Sequence, residues 1–176
     1  ANSRDFEGSL RKVTNVLTFK DLLVDILKKQ EVRENLVTRI LEREKLQYLK
    51  ELLDSFDVER LATVLIEGYE NDSFYERYLL PPIPNLFFMR DAAVTMYNNI
   101  MISKMATDVR DRETMLWDAI FKHSSMIDVE TINPIERYSI SGIGSVEGGD
   151  VEIARHDIIL SGWGAPPRQE GKRGFG

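Results

Sequence analysis

Three prolines within four residues, in Leu79-Leu80-Pro81-Pro82-Ile83-Pro84, constrain this chain more than any other feature. Proline fixes φ, removes a backbone donor and pushes the preceding residue out of the helical region. No helix or inner strand can run through such a segment. The sequence is therefore built as two halves joined by a stiff, extended connection.

The half ahead of the prolines is helical. Thr18-Phe19-Lys20-Asp21 has the form of a capping box, a hydroxyl followed three residues later by an acid. Behind it Phe19, Leu22, Leu23, Ile26 and Leu27 recur at helical spacing. A second stripe follows at Leu36, Val37, Ile40 and Leu41, and a third at Leu46, Leu49, Leu52 and Leu53. Asp57 is placed to cap a fourth helix carrying Leu61, Val64, Leu65 and Tyr69. Such stripes are core faces, so four short amphipathic helices predict a small bundle. Upstream, residues 5–12 read as a helix end and residues 13–17 as a short strand, whose partner must lie later or elsewhere.

Beyond the prolines the texture is mixed. Phe87-Phe88-Met89, Ala93 to Tyr97 and Ile100 to Ile102 read as short strands, with Asn98-Asn99 turning between the last two. Arg110 to Lys122 reads as a helix with Met115, Leu116, Ala119 and Ile120 on its apolar face. Val151 to Ile153 and Asp157 to Leu160 predict a hairpin turning at residues 154–156. Strands and helices in this order predict an α+β layer. The expected divisions are residues 1–17, a bundle over 18–79, a mixed region over 80–161 and an irregular tail over 162–176.

Composition limits what such a chain can do. A net charge of −6 argues against nucleic-acid binding, which rests on neutralising phosphates with excess Lys and Arg. Acids gathered in a cleft would instead attract a small cation. No apolar run approaches the roughly 20 residues of a membrane span, and residues 1–11 are too polar for a secretory signal, so a cytoplasmic protein without membrane association is expected. With no cysteine and two histidines, His123 and His156, neither a thiol nucleophile nor a multi-histidine metal site is expected. No cofactor is implied.

Three local signals carry chemistry. Pro84-Asn85-Leu86-Phe87-Phe88-Met89-Arg90-Asp91 ends an apolar run abruptly in an Arg-Asp pair, which taken alone reads most simply as a surface ion pair worth at most about 1 kcal/mol. In Glu147-Gly148-Gly149-Asp150 two glycines permit a tight turn or a close approach, with carboxylates on either side. Arg110-Asp111-Arg112-Glu113 opens a helix; mixed charge there is ordinarily solvated, yet an arginine in the first turn opposes the helix dipole.

Together with Ile120-Phe121-Lys122-His123 and Val146, these segments resemble the arginine deiminases, members of the guanidine-modifying superfamily. That resemblance extends to Leu160 and implies a fivefold-pseudosymmetric, pentein-like α/β propeller. It also implies a helical bundle inserted after the first propeller module. The dimethylarginine hydrolases and amidinotransferases resemble the chain less, because they lack a long helical insertion.

The implied reaction is hydrolysis of L-arginine to L-citrulline and ammonia. By the resemblance Asp91 binds the guanidinium, as a carboxylate accepting parallel N–H bonds from a planar cation can, and Glu147 is the second catalytic carboxylate. Asn85 and Arg110 hold the substrate's α-carboxylate, Phe88 lines the pocket, and Asp150 supports the site from within the substrate-binding set. A homo-oligomer is expected. The family's nucleophile is a cysteine near its C-terminus and its general base a histidine beyond the Glu-Gly-Gly-Asp segment; neither has a counterpart here. His156 reads as a surface residue, and Gly164-Ala165-Pro166-Pro167 stands where a second substrate arginine is expected, with Arg168 shifted from that place. The chain is therefore expected to be a piece of a deiminase, starting inside the first module and inactive alone. The alternative is a non-catalytic guanidinium-binding or interaction module.

Overall fold

The computed structural model describes residues 3–70, 77–133 and 145–162. After α1 (Ser3–Leu10), helices α2 (Phe19–Leu27), α3 (Gln30–Glu44), α4 (Lys50–Asp54) and α5 (Val58–Glu67) follow in succession. Each presents an apolar stripe predicted from its spacing: Leu23, Ile26, Leu36, Val37, Ile40, Leu53, Leu61 and Leu65 are fully buried. The third stripe is split, because a short 3-10 turn at Gln47–Leu49 leads into α4.

The expected capping box is present. Asp21 N–H donates to the Thr18 hydroxyl at 3.1 Å and Thr18 N–H to Asp21 Oδ2 at 3.0 Å. The Thr18 hydroxyl, then its backbone N–H, hold the Asp21 carboxyl below the usual carboxylate range. A group depressed in the folded state adds stability above its unfolded pKa, and that contribution is lost as pH falls through the folded one. Thr18→Ala is thus expected to cost about 1 kcal/mol at neutral pH. The difference in Tm from wild type should shrink as a melting series is taken from pH 7 to pH 2.

Two expected strands do not form. Residues 13–17 form no strand; the chain turns after α1, where the N–H groups of Val13 and Thr14 both donate to the Leu10 carbonyl, at 2.9 and 3.0 Å. Phe87-Phe88-Met89 is not extended either. Phe88 N–H donates to the Asn85 carbonyl and Asp91 N–H to the Phe88 carbonyl, winding a turn into the one-turn helix α6 (Met89–Ala92). Tyr69 also leaves α5: Gly68 ends that helix with φ 84°, and Tyr69 enters a short strand, β1 (Tyr69–Glu70), paired with β2 (Tyr78–Leu80). The proline run then passes over the end of α5, with Ile83 N–H bonded to the Ile66 carbonyl at 2.9 Å.

The second half is α+β, as predicted. Strands β3 (Ala93–Met96) and β4 (Asn99–Ile102) form an antiparallel hairpin turning at Tyr97 and Asn98, one residue earlier than expected. Helix α7 (Asp111–His123) crosses from β4 to β5 (Glu130–Ile132), a strand the sequence reading missed, which pairs parallel with β4. A final hairpin, β6 (Val151–Arg155) and β7 (Ile158–Ser161), turns at His156 and Asp157, later than expected. Bundle and sheet share one core, in which Ile100, Ile102, Leu116, Trp117 and Ile120 join the stripes of α2, α3 and α5. No helix among the described residues is long and apolar enough to cross a membrane. The tail beyond residue 162, with Gly164-Ala165-Pro166-Pro167 and Arg168, lies outside the described residues.

Candidate functional site

Four charged side chains from three distant segments converge at one end of the sheet. Helix α6 carries Asp91 and is tied to β4 by a bond from Ser103 N–H to the Ala92 carbonyl at 3.0 Å. Lys104 and Val146 form a two-bond bridge that lays residues 145–150 beside the continuation of β4. That bridge puts Glu147 where its Oε1 accepts from Ala106 N–H at 2.8 Å. The following 3-10 turn, Gly148–Asp150, fits against α6 so closely that a Cβ on Gly148 would stand 1.9 Å from the Arg90 carbonyl oxygen. Gly149 has nothing within 4 Å of an added Cβ. Of the two glycines, Gly148 is the one that close approach requires.

The centre of the cluster is the Arg110 guanidinium, on the 3-10 turn that leads into α7. It donates to Glu113 from Nε at 3.1 Å and from Nη2 at 2.7 Å, and to Asp91 Oδ2 from Nη1 at 3.0 Å. Glu147 Oε2 lies 3.9 Å from the same Nη1. The hydrogen bonds Arg110 donates to Glu113 raise its pKa above the ordinary value; burial opposes this and Asp91 adds to it. Glu113 is 1% exposed and Arg110 8%, whereas the Asp91 and Glu147 side chains remain 29% and 25% open. A buried Arg110–Glu113 pair thus backs two carboxylates that remain partly open to solvent.

Of the predicted site residues, Asp91, Arg110 and Glu147 come together. Asp150 stands behind them, its Oδ2 accepting from Glu147 N–H at 2.9 Å, so it shapes the turn. Asn85 is half-buried and makes no described contact with Arg110, and Phe88 is exposed beside the more exposed Phe87. His156 is on the surface, its side chain 85% exposed. Glu113 belongs to the Arg110-Asp111-Arg112-Glu113 motif but has no role in the sequence reading. Its three-residue spacing from Arg110, which puts both on one helical face, was the signal available.

Fold and site define an α+β protein in which a helix-backed sheet gathers carboxylates around a guanidinium. The family model for arginine deiminase matches residues 4–170, nearly the whole chain. The chain is 29% identical over 182 residues to the arginine deiminase of Listeria monocytogenes serotype 4b (strain CLIP80459), covering 90% of this chain and 43% of that protein. Against the arginine deiminase of Borreliella burgdorferi (strain ZS7) the identity is 27% over 127 residues, covering 65% of this chain and 30% of the relative. This chain belongs to the arginine deiminase family, and spans less than half the length of these curated relatives.

Proposed function

We propose that these residues form the guanidinium-recognising part of an arginine deiminase site, which hydrolyses L-arginine to L-citrulline and ammonia. The observation that carries this reading is the charge balance of the cluster. Asp91, Glu113 and Glu147 set three carboxylates against the one guanidinium of Arg110, and the two partly exposed ones, Asp91 and Glu147, are those that can accept a second guanidinium. Charge-assisted bonds from a planar cation to such carboxylates are the strong ones.

In this reading Asp91 holds the substrate's terminal nitrogens. Glu147 takes the other edge of the planar cation and holds it in place by charge-assisted hydrogen bonds. Arg110, with Asn85, meets the α-carboxylate. No thiol is available from a sequence without cysteine, so the covalent step is not assigned to these residues. The same reading carries a pentein-like propeller for the whole protein, a cytoplasmic setting and self-association. Exposed Ile158, Ile159 and Leu160 on β7 support the last of these.

Calorimetric titration of L-arginine into the 176-residue chain tests the proposal. Measurable binding should weaken by roughly ten- to a hundredfold in Asp91→Ala, the equivalent of losing about 1.5–3 kcal/mol of charged hydrogen bonding. A parallel assay should detect no citrulline. Unchanged affinity in Asp91→Ala, or citrulline release by the chain alone, would count against it.

A further inference from the structure

The four charges of Arg110-Asp111-Arg112-Glu113 face two ways. Arg110 and Glu113, three residues apart, turn to the acidic cluster. Asp111 and Arg112, with Asp108 just upstream, turn instead to the last turn of α3. There Arg43 donates from Nε to Asp111 Oδ2 at 2.6 Å and from Nη2 to Asp108 Oδ1 at 2.8 Å, and the next residue, Glu44, lies 2.9 Å from Arg112 Nε. The contacts bracket Arg110 on both sides in sequence. The 3-10 turn that aims Arg110 therefore has its end residues, Asp108 and Arg110, held by the bundle and by the site respectively.

We infer that Arg43 is a positioning residue for Arg110, acting across the bundle–sheet junction to fix the cationic end of the site. This rests on the reading of Arg110 as the group that meets the substrate's α-carboxylate. A guanidinium suits the task because its planar fork spans two acceptors at once and is less free to rotate than an ammonium. The Arg43 pKa is raised, chiefly by its bond to Asp111. The side chain is 45% exposed, so its loss should not unfold the bundle. What is lost is the tether on the 3-10 turn, and small misplacements of a binding group are costly.

The consequence is selective by ligand. Arg43→Ala should weaken L-arginine binding by about three- to tenfold, in line with the modest worth of a partly exposed charge pair. Binding of agmatine, which carries the same guanidinium without a carboxylate, should stay within twofold of wild type. Arg43→Lys, which keeps the charge without the fork, should fall between. Calorimetry with both ligands on wild-type chain and both variants decides this, with thermal melting to confirm the fold. Equal weakening for both ligands would mean general loosening and overturn the inference, as would no change for L-arginine. A wild-type chain that binds neither ligand would sink the recognition reading itself, and this inference with it.

Discussion

Gly148→Ala is expected to dismantle the acidic cluster, while Gly149→Ala, one residue on, leaves it in place. A methyl group on Gly148 would sit 1.9 Å from the Arg90 carbonyl oxygen and 2.5 Å from its carbon. Both are backbone atoms of α6, so no side-chain rotation relieves the clash. The 3-10 turn must retreat from α6, and Glu147 retreats with it. That withdraws Oε1 from Ala106 N–H, now 2.8 Å away, and Oε2 from the Arg110 guanidinium. Overpacking of this kind costs roughly 1–3 kcal/mol and sometimes more. The loss of L-arginine affinity should exceed about tenfold, because a binding carboxylate has moved. At Gly149 an added methyl meets open space, and the substitution narrows the unfolded ensemble, so stability should hold or rise by about 0.4–1 kcal/mol. Melting curves and arginine titrations on the two variants provide the comparison; matching behaviour would show that the close approach to Arg90 does not hold the site.

That contrast marks where the sequence stops being informative. Two adjacent glycines read alike in a motif, and only the neighbouring chain at Arg90 separates them. The bundle was legible because its signals are local: Thr18 and Asp21 cap a helix three residues away, and Leu36, Val37, Ile40 and Leu41 repeat within one. The missed strands have the opposite character. Whether residues 13–17 pair or coil depends on a partner, and the Leu10 carbonyl claims the N–H groups of Val13 and Thr14 first. Glu130-Thr131-Ile132 carries almost no alternation, and its partner β4 lies about thirty residues back, on the far side of α7. Within the site, Asp91, Arg110 and Glu147 were named as a set through resemblance. Their common meeting point could not be read from residues spaced that widely. The same holds for the two faces of Arg110-Asp111-Arg112-Glu113. Helical spacing allows 110 and 113 to share a side, yet which side meets the cluster is set by α3.

Breaking the Glu44–Arg112 pair from one side should be among the most damaging changes to the fold, and removing both charges together should not. Arg112 is 5% exposed and wedged between α3 and the proline run, where its Nη2 donates to the Pro81 carbonyl. Its Nε lies 2.9 Å from Glu44 Oε1, but the N–H points off that line, so the contact is an ion pair without a hydrogen bond. Nη1 too is buried without a hydrogen-bond partner among the described residues. Burial raises the Glu44 pKa, which Arg112 only partly offsets, and lowers that of Arg112, which Glu44 and then Glu113 only partly offset. Both groups are thus biased toward their neutral forms, which means desolvation outweighs their attraction. Replacing Glu44 alone by Leu strands a buried cation and is expected to cost roughly 3–5 kcal/mol. Glu44→Leu with Arg112→Met restores apolar packing and strands neither member of the pair. Its stability in urea should return to within about 1 kcal/mol of wild type or exceed it. A double variant as unstable as Glu44→Leu would mean that the Pro81 bond, not the ion pair, holds α7 against the bundle.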